Sequence, residues 1–265
     1  MIGYEGKRVL VVGGATGMGA ATARQAKALG AHVTVLDVAA VDFPVDDAQK
    51  IDLRDEADVE AVIGRLQGPF HAVFSCAGVA DGARGLMLIN FIAQRRLLEG
   101  LLAKGALPPG SAVGVISSTA GNPWKDHLPL LKEFLAIPDW KGQAAWVDAH
   151  RTDDKRTNAD GYGFSKRAVC AYVASRAFEF LRQGVRLNAI LPGPTDTPLA
   201  RANAEVWLAH ATDYRAALGI KHLTPDEMAA PLIFLCGPAA SGINGENLVV
   251  DHGYTAALVT GAFGG

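Results

Sequence analysis

The 265-residue sequence predicts an α/β fold, one doubly wound parallel sheet of about seven strands with helices on both faces. Three observations carry that expectation. Short β-branched runs alternate with stretches of helical period along the chain, without internal repeat or linker. The first run leads through closely spaced glycines into an alanine-rich helix, and that order of strand, loop and helix is what makes such glycines meaningful. Several runs end on small, acidic or hydroxyl residues, at the strand ends where open α/β sheets place their ligands.

Arg8-Val9-Leu10-Val11-Val12 is the first strand, and Gly13-Gly14-Ala15-Thr16-Gly17-Met18-Gly19 leads into a helix that closes near Leu29-Gly30. Backbone N–H groups at a helix N-terminus attract phosphate, and glycines let a pyrophosphate approach without meeting a Cβ. Gly13, Ala15, Thr16, Gly17, Met18 and Gly19 are therefore expected to hold a dinucleotide. His32 to Asp37 is the second strand. Asp37 stands about twenty residues beyond the glycines, where a carboxylate accepts hydrogen bonds from the adenosine ribose and repels a 2′-phosphate. Val38 and Ala39 supply no arginine to reverse this, so NAD is expected rather than NADP.

Ile51-Asp52-Leu53 reads as a short third strand, and a helix follows with Ala57, Val59, Val62, Ile63 and Leu66. His71 to Ser75 is a fourth strand opening into Cys76-Ala77-Gly78, small residues past which a cofactor could run. A helix from about Leu86 to Leu102 carries Asn90 among apolar neighbours. Ala112 to Ile116 forms the fifth strand and ends on the hydroxyls of Ser117 and Ser118.

From about 121 to 159 the pattern changes. Trp124, Leu128, Leu131 and Leu135 share one helical face interrupted by Pro129, and Trp140, Ala144 and Val147 suggest a second short helix. The charged run Arg151 to Arg156 follows. The segment is too short to bury a core of its own, so it reads as an insertion over the sheet edge within a single domain spanning 1–265. Val185 to Ile190 is the sixth strand, broken at Pro192-Gly193-Pro194. The region of about 195–220 is expected to form a substrate loop, with Trp207, His210, Tyr214 and Leu218 on one helical face. A helix from Pro225 to Leu235 and a last strand, Leu248 to Val250, complete the chain, and His252 reads as part of a surface turn.

Composition narrows the function classes. Hydrophobic residues make up 49% of the chain and charged residues 20%, which suits a globular protein. A net charge of −2 without blocks of like charge gives no reason to expect nucleic acid or a membrane surface as partner. No apolar run is long enough to span a bilayer and the first residues lack the apolar segment of a signal peptide, so a cytoplasmic location is expected. Three scattered cysteines and seven histidines show neither C-x-x-C nor H-E-x-x-H spacing, so no metal site and no disulfide framework is implied.

The chemistry centres on Asp160-Gly161-Tyr162-Gly163-Phe164-Ser165-Lys166, at the mouth of an apolar stretch with helical spacing. Tyr162 and Lys166 lie four residues apart and would share a helix face. A phenol is a poor base near neutral pH, and a neighbouring ammonium favours the phenolate, so the pair is a candidate acid/base.

Together these motifs resemble the short-chain dehydrogenases/reductases, from about Lys7 to Gly253. Val12 to Gly19 resembles their T-G-x-x-x-G-x-G loop with Val12 in place of threonine, and Ser75-Cys76-Ala77-Gly78 stands where they have N-N-A-G. Asp52-Leu53 matches their adenine-contacting pair, I-S-S-T-A-G their catalytic serine strand, Y-G-F-S-K their Y-x-x-x-K, and P-G-P-T-D-T the loop that holds the nicotinamide amide. The resemblance implies Ser118, rather than Ser117, as the hydroxyl that holds the substrate oxygen, and Tyr162 as the acid/base. It implies Lys166 on the nicotinamide ribose and lowering the tyrosine pKa, and Asn90 anchoring a proton-relay water. It adds Asp52, Leu53, Cys76, Ala77, Gly78, Pro192, Gly193, Thr195 and Thr197 to the cofactor contacts. The short Gly78-to-Asn90 spacing and the long gap from Ser118 to Tyr162 resemble the branch that contains bacterial 3α-hydroxysteroid dehydrogenase/carbonyl reductase and coniferyl-alcohol dehydrogenase-like members. In that branch the insertion covers a tetramer-forming helix face, so a homodimer is implied. The expected substrate is a bulky apolar alcohol or ketone, steroid-like or aryl, with Trp207 and Tyr214 in its pocket. The competing reading is a catalytically silent, NAD-sensing regulatory protein on the same fold.

Overall fold

The structure, a computed structural model, describes residues 3–154 and 158–264. Lys155 and Arg156 of the predicted charged run lie outside the described residues. Seven parallel strands form one sheet: β1 (Arg8–Val12), β2 (His32–Asp37), β3 (Asp47–Lys50), β4 (Ala72–Ser75), β5 (Ala112–Ile116), β6 (Arg186–Pro192) and β7 (Asn247–Val250). Their spatial order is β3-β2-β1-β4-β5-β6-β7, so the chain reverses direction across the sheet between β1 and β4. The carboxyl ends at that reversal open the crevice in which doubly wound sheets bind ligands.

Side chains alternate between two cores because successive strand residues face opposite sides. Leu10 and Val12 enter the core under α2 (Glu56–Arg65), α3 (Ala93–Ala103) and α6 (Tyr162–Arg182), while Val9 and Val11 enter the one under α1 (Gly17–Ala28) and α10 (Pro225–Cys236). Both faces of the sheet are thus covered, as a parallel sheet of β-branched strands requires.

Several boundaries differ from expectation for identifiable reasons. The third strand is Asp47–Lys50 and not Ile51 to Leu53: as an edge strand it is polar and alternately exposed, so no apolar run marks it. Ile51 and Leu53, buried to 1% and 7% exposure, follow it. The helix expected from Leu86 does open there, but after Met87 it passes into a π-turn over Leu88–Ile92, in which the Ala93 N–H reaches five residues back to the Leu88 carbonyl. The buried Gln94 amide takes the Ile89 carbonyl at 2.7 Å.

Pro129 does not interrupt its helix. It occupies the first turn of α4 (Leu128–Ala136), where proline gives up only an N–H that has no intrahelical partner. The insertion continues through α5 (Trp140–Ala149) and lies against the helical layer rather than over the sheet edge. Phe134 on α4 packs on Phe91 of the π-turn (5.4 Å between ring centroids) and on Phe164 of α6 (5.5 Å).

The substrate-loop region is broken into three short helices, α7 (Pro198–Ala202), α8 (Ala204–Trp207) and α9 (Thr212–Leu218). Asn203 leaves helical dihedrals between the first two, and Ala211 adopts the left-handed conformation before the third, so no continuous helical face exists. Beyond the last strand a further helix, α11 (Tyr254–Thr260), follows a turn in which His252 has φ 57°. The His252 carbonyl accepts the Tyr214 hydroxyl at 3.0 Å.

Candidate active site

The first turn of α1 and the glycines before it form one wall of the cleft. Gly13 has φ +75°, and a Cβ there would stand 2.4 Å from the Ala77 Cα; a Cβ on Gly19 would stand 2.0 Å from the Gly13 carbonyl oxygen. Neither position admits a side chain, so the β1 and β4 loops close up to backbone distance. Thr16 precedes the helix without a side-chain cap, which leaves its first N–H groups to face the cleft. That cradle fits the pyrophosphate of a dinucleotide.

Asp37 closes the far end. Its carboxylate accepts the Ala15 N–H at 2.8 Å and the Ala39 N–H at 2.9 Å, which fixes a negative charge at the mouth of the cleft. Asp52 and Leu53 line the same cleft with Arg54, and the Arg54 guanidinium grips Asp52 through two hydrogen bonds, at 2.9 and 2.6 Å. That grip brings the Asp52 carboxyl down to about 2. This cleft, about 370 Å³, also takes in Gly13, Thr16, Gly17, Met18, Gly19, Cys76, Ala77, Gly78 and Thr197. Ala15 stands behind, acting through its N–H on Asp37. Sequence reasoning missed Val38, Arg54, Val79 and Ile89 of the lining.

A second cavity of about 580 Å³ opens beside it and shares Met18, Cys76, Gly78, Thr197 and Leu199 with it. The two are therefore contiguous. Ser118, Tyr162 and Lys166 line the second one, with Pro192 from the end of β6 and Gly193 and Thr195 from the loop after it. Two neighbouring serines part company here. Both border the cavity, but the buried Ser117 spends its hydroxyl on the Lys166 carbonyl, donating at 2.8 Å, whereas Ser118 accepts the Ala120 N–H at 3.2 Å. The Ser118 O–H is left to donate toward the Tyr162 phenol, which lines the same cavity.

Tyr162 and Lys166 share the first turns of α6, with the Lys166 Nζ 5.4 Å from the phenol ring centroid and donating to the Ile116 carbonyl at 3.2 Å. Burial pushes the Tyr162 phenol up to about 12; a hydrogen bond from Ser118 pulls against this and the Asp81 carboxylate adds to it. Burial brings the Lys166 ammonium down to about 8.

Asn90 does not face either cavity. It is fully buried, its amide oxygen accepts the Val79 N–H at 2.8 Å, and its amide nitrogen donates to the Val79 carbonyl and to the Ser165 hydroxyl. It ties the loop after β4 to α6 from behind. Of the aromatic residues expected in the pocket, Trp207 is there, its ring 4.7 Å from that of Tyr162. Tyr214 is not; it packs on Tyr254 and Phe263 outside the cavity. Instead Tyr254, Thr255, Leu258 and Val259 of α11 complete the wall. The motif span ended at Gly253, and nothing in the tail's sequence pattern signals that it folds back over the site.

Known proteins resemble this chain along nearly its whole length. Residues 9–133 match the family described as "NAD dependent epimerase/dehydratase family", and residues 135–255 the one described as "Enoyl-(Acyl carrier protein) reductase". The chain is 27% identical to a coniferyl-alcohol dehydrogenase of Pseudomonas sp. strain HR199 (96% of this chain, 98% of the relative). It is 32% identical to a cis-4-hydroxycyclohexanecarboxylate dehydrogenase of Sinomonas cyclohexanicum (94% of this chain, 97% of the relative). This chain belongs to the short-chain dehydrogenase/reductase family. As a member it is an oxidoreductase acting on CH–OH groups. A solved member, the 3-alpha-hydroxysteroid dehydrogenase from Pseudomonas sp. B-0831 complexed with NADH, superposes with a TM-score of 0.75 at 26% identity, covering 96% of this chain and 99% of that one. Among the described residues of the present chain no helix is long and apolar enough to cross a membrane, and no group of His, Cys, Asp and Glu is placed to hold a metal ion.

Proposed function

We propose that the chain is an NAD-dependent dehydrogenase/reductase that interconverts a bulky, apolar secondary alcohol and its ketone, with Tyr162 as the acid/base. The observation that carries the reading is the convergence of Ser118, Tyr162 and Lys166 on the place where the dinucleotide-shaped cleft runs into the second cavity.

The cofactor, when bound, accepts hydride from the alcohol carbon or returns it to the ketone. The chain's own residues do the rest. Gly13, Thr16, Gly17, Met18 and Gly19 hold the pyrophosphate, Asp37 the adenosine ribose, Asp52 and Leu53 the adenine. Cys76, Ala77 and Gly78 form the floor, while Pro192, Gly193, Thr195 and Thr197 hold the nicotinamide end. Ser118 donates to the substrate oxygen and Tyr162 takes its proton in oxidation or returns it in reduction. Lys166 binds the nicotinamide ribose, and its positive charge favours the phenolate. Asn90 supports the relay of that proton by fixing Val79 and α6.

The Asp37 charge supports NAD over NADP, because it would face a 2′-phosphate, and Arg54 is already committed to Asp52. The second cavity supports a neutral, apolar substrate. Among the described residues its wall holds Trp207, Tyr254, Leu258 and Val259, contains no Asp, Glu or Arg, and offers His210 and Lys166 as its only nitrogen bases. The name of the coniferyl-alcohol relative supports keeping aryl alcohols among the candidates.

Mixing the protein with NAD or NADP and a panel of hydroxysteroids, aryl alcohols and cyclohexanols, and following reduced nicotinamide, tests the reading. Turnover with NAD on a ring-bearing alcohol is expected. Tyr162→Phe should cost about 10² to 10⁴-fold in kcat while NAD still binds. A variant with unchanged NAD binding and a wild type silent on the whole panel would favour the NAD-sensing regulatory reading instead. For the assembly we propose a homodimer, and a tetramer by solution mass would refute it.

A further inference from the structure

Helix α6 carries the proposed acid/base at its first residue and yet has no cap of its own. Gly161 precedes it and has no side chain to offer the orphan N–H groups of the first turn. The missing acceptor comes from elsewhere: Asp81 Oδ1 accepts the Tyr162 backbone N–H at 2.7 Å, across 81 residues of sequence. Asp81 sits on the loop that leaves the cofactor floor at Gly78. That loop is tied down at Val79 by Asn90 and turned by Gly82 and Gly85 at positive φ. A carboxylate at a helix N-terminus is favoured by the helix dipole as well as by the hydrogen bond.

We propose that Asp81 is a positioning residue for Tyr162, whose carboxylate caps the catalytic helix from the cofactor loop and so sets where the phenol stands and how much negative charge faces it. The other charged groups near the phenol are accounted for. Lys166 stands 5.4 Å from the ring on the same helix, and Asp160 is paired with Arg151 at 2.9 Å. From the stretch Thr119–His127, Lys125 lies over the Trp124 ring, and His127 feels Arg167 and Asp126. The substrate loop presents the neutral Trp207 ring and, farther along, His210. Asp81 is the acid whose charge acts on the phenol, in the direction that keeps it protonated.

The inference rests on Tyr162 being the acid/base, and the test separates the two. Asp81→Asn keeps an acceptor oxygen for the N–H and removes the charge; Asp81→Ala removes both. Two pH titrations are run on the full chain with saturating NAD: kcat/KM for oxidation of an alcohol from the panel, and the ultraviolet absorbance of phenolate, corrected with Tyr162→Phe. Both variants should move the midpoint to lower pH in both titrations, and the shift should shrink in high salt. Asp81→Ala should in addition lower kcat and reduce Tm by roughly 2–4 °C. An unchanged midpoint in Asp81→Asn overturns the proposal and leaves Asp81 a plain cap, whatever becomes of Asp81→Ala. Should the wild type turn over nothing while the phenolate midpoint still moves, the proposed function fails and the Asp81 coupling stands.

Discussion

The cofactor cleft and the substrate cavity touch, share five residues, and are built on opposite principles. The cleft is made of backbone. Its wall is glycines whose missing Cβ atoms would strike Ala77 or the Gly13 carbonyl, and its charge is an aspartate locked by two N–H groups. The substrate cavity is made of side chains on short helices whose apolar residues are left in solvent: Val206 is 73% exposed and Val259 82%. Backbone at van der Waals distance cannot give way, so the cleft admits one class of ligand. Side chains on one- and two-turn helices can be exchanged without disturbing the sheet, so this is the end where substrate preference can vary within a common fold.

The largest effect expected from that contrast is at Gly13. Gly13→Ala places a methyl 2.4 Å from the Ala77 backbone at φ +75°, which should cost roughly 2–4 kcal/mol of stability and abolish NAD binding. Normal NAD affinity by fluorescence titration in this variant would show the cradle to be as pliable as the other end. Trp207→Ala should be gentler. It removes a ring tilted against Tyr162, and KM for ring-bearing ketones should rise roughly tenfold while Tm hardly moves. An unchanged KM across several ketones would take Trp207 out of the substrate wall.

The smallest effect lies at the junction, in the stability of the protein without cofactor. Lys166 is buried with one carbonyl partner, and its folded pKa of about 8 lies below the 10.5 of a free lysine. Between these values the unfolded chain holds the proton and the folded chain does not, so wild-type stability should rise as pH climbs from about 8 to 10.5. Lys166→Met, inactive by expectation, should therefore melt a few degrees higher at pH 7, and its advantage should fade over that window. A thermal midpoint of Lys166→Met that does not exceed wild type at neutral pH would mean that the amine is better solvated than its burial implies.

The sheet and the cleft were legible in the sequence because each depends on near neighbours. A β-branched run, its glycine loop and its helix lie within one stretch of chain, and Tyr162 and Lys166 share a helix face whatever the rest does. The sequence by itself therefore determined the strand-helix alternation, the backbone cradle and the tyrosine-lysine pair. It did not reveal β3, whose polar residues form a strand only because β2 offers an edge, nor the breaks at Asn203 and Ala211. Only the tertiary structure decided that α11 rather than Tyr214 closes the cavity, and that Asp81 reaches Tyr162 across 81 residues. Those contacts join segments distant in the chain, and a local pattern of side chains holds no trace of what another segment will bring against it.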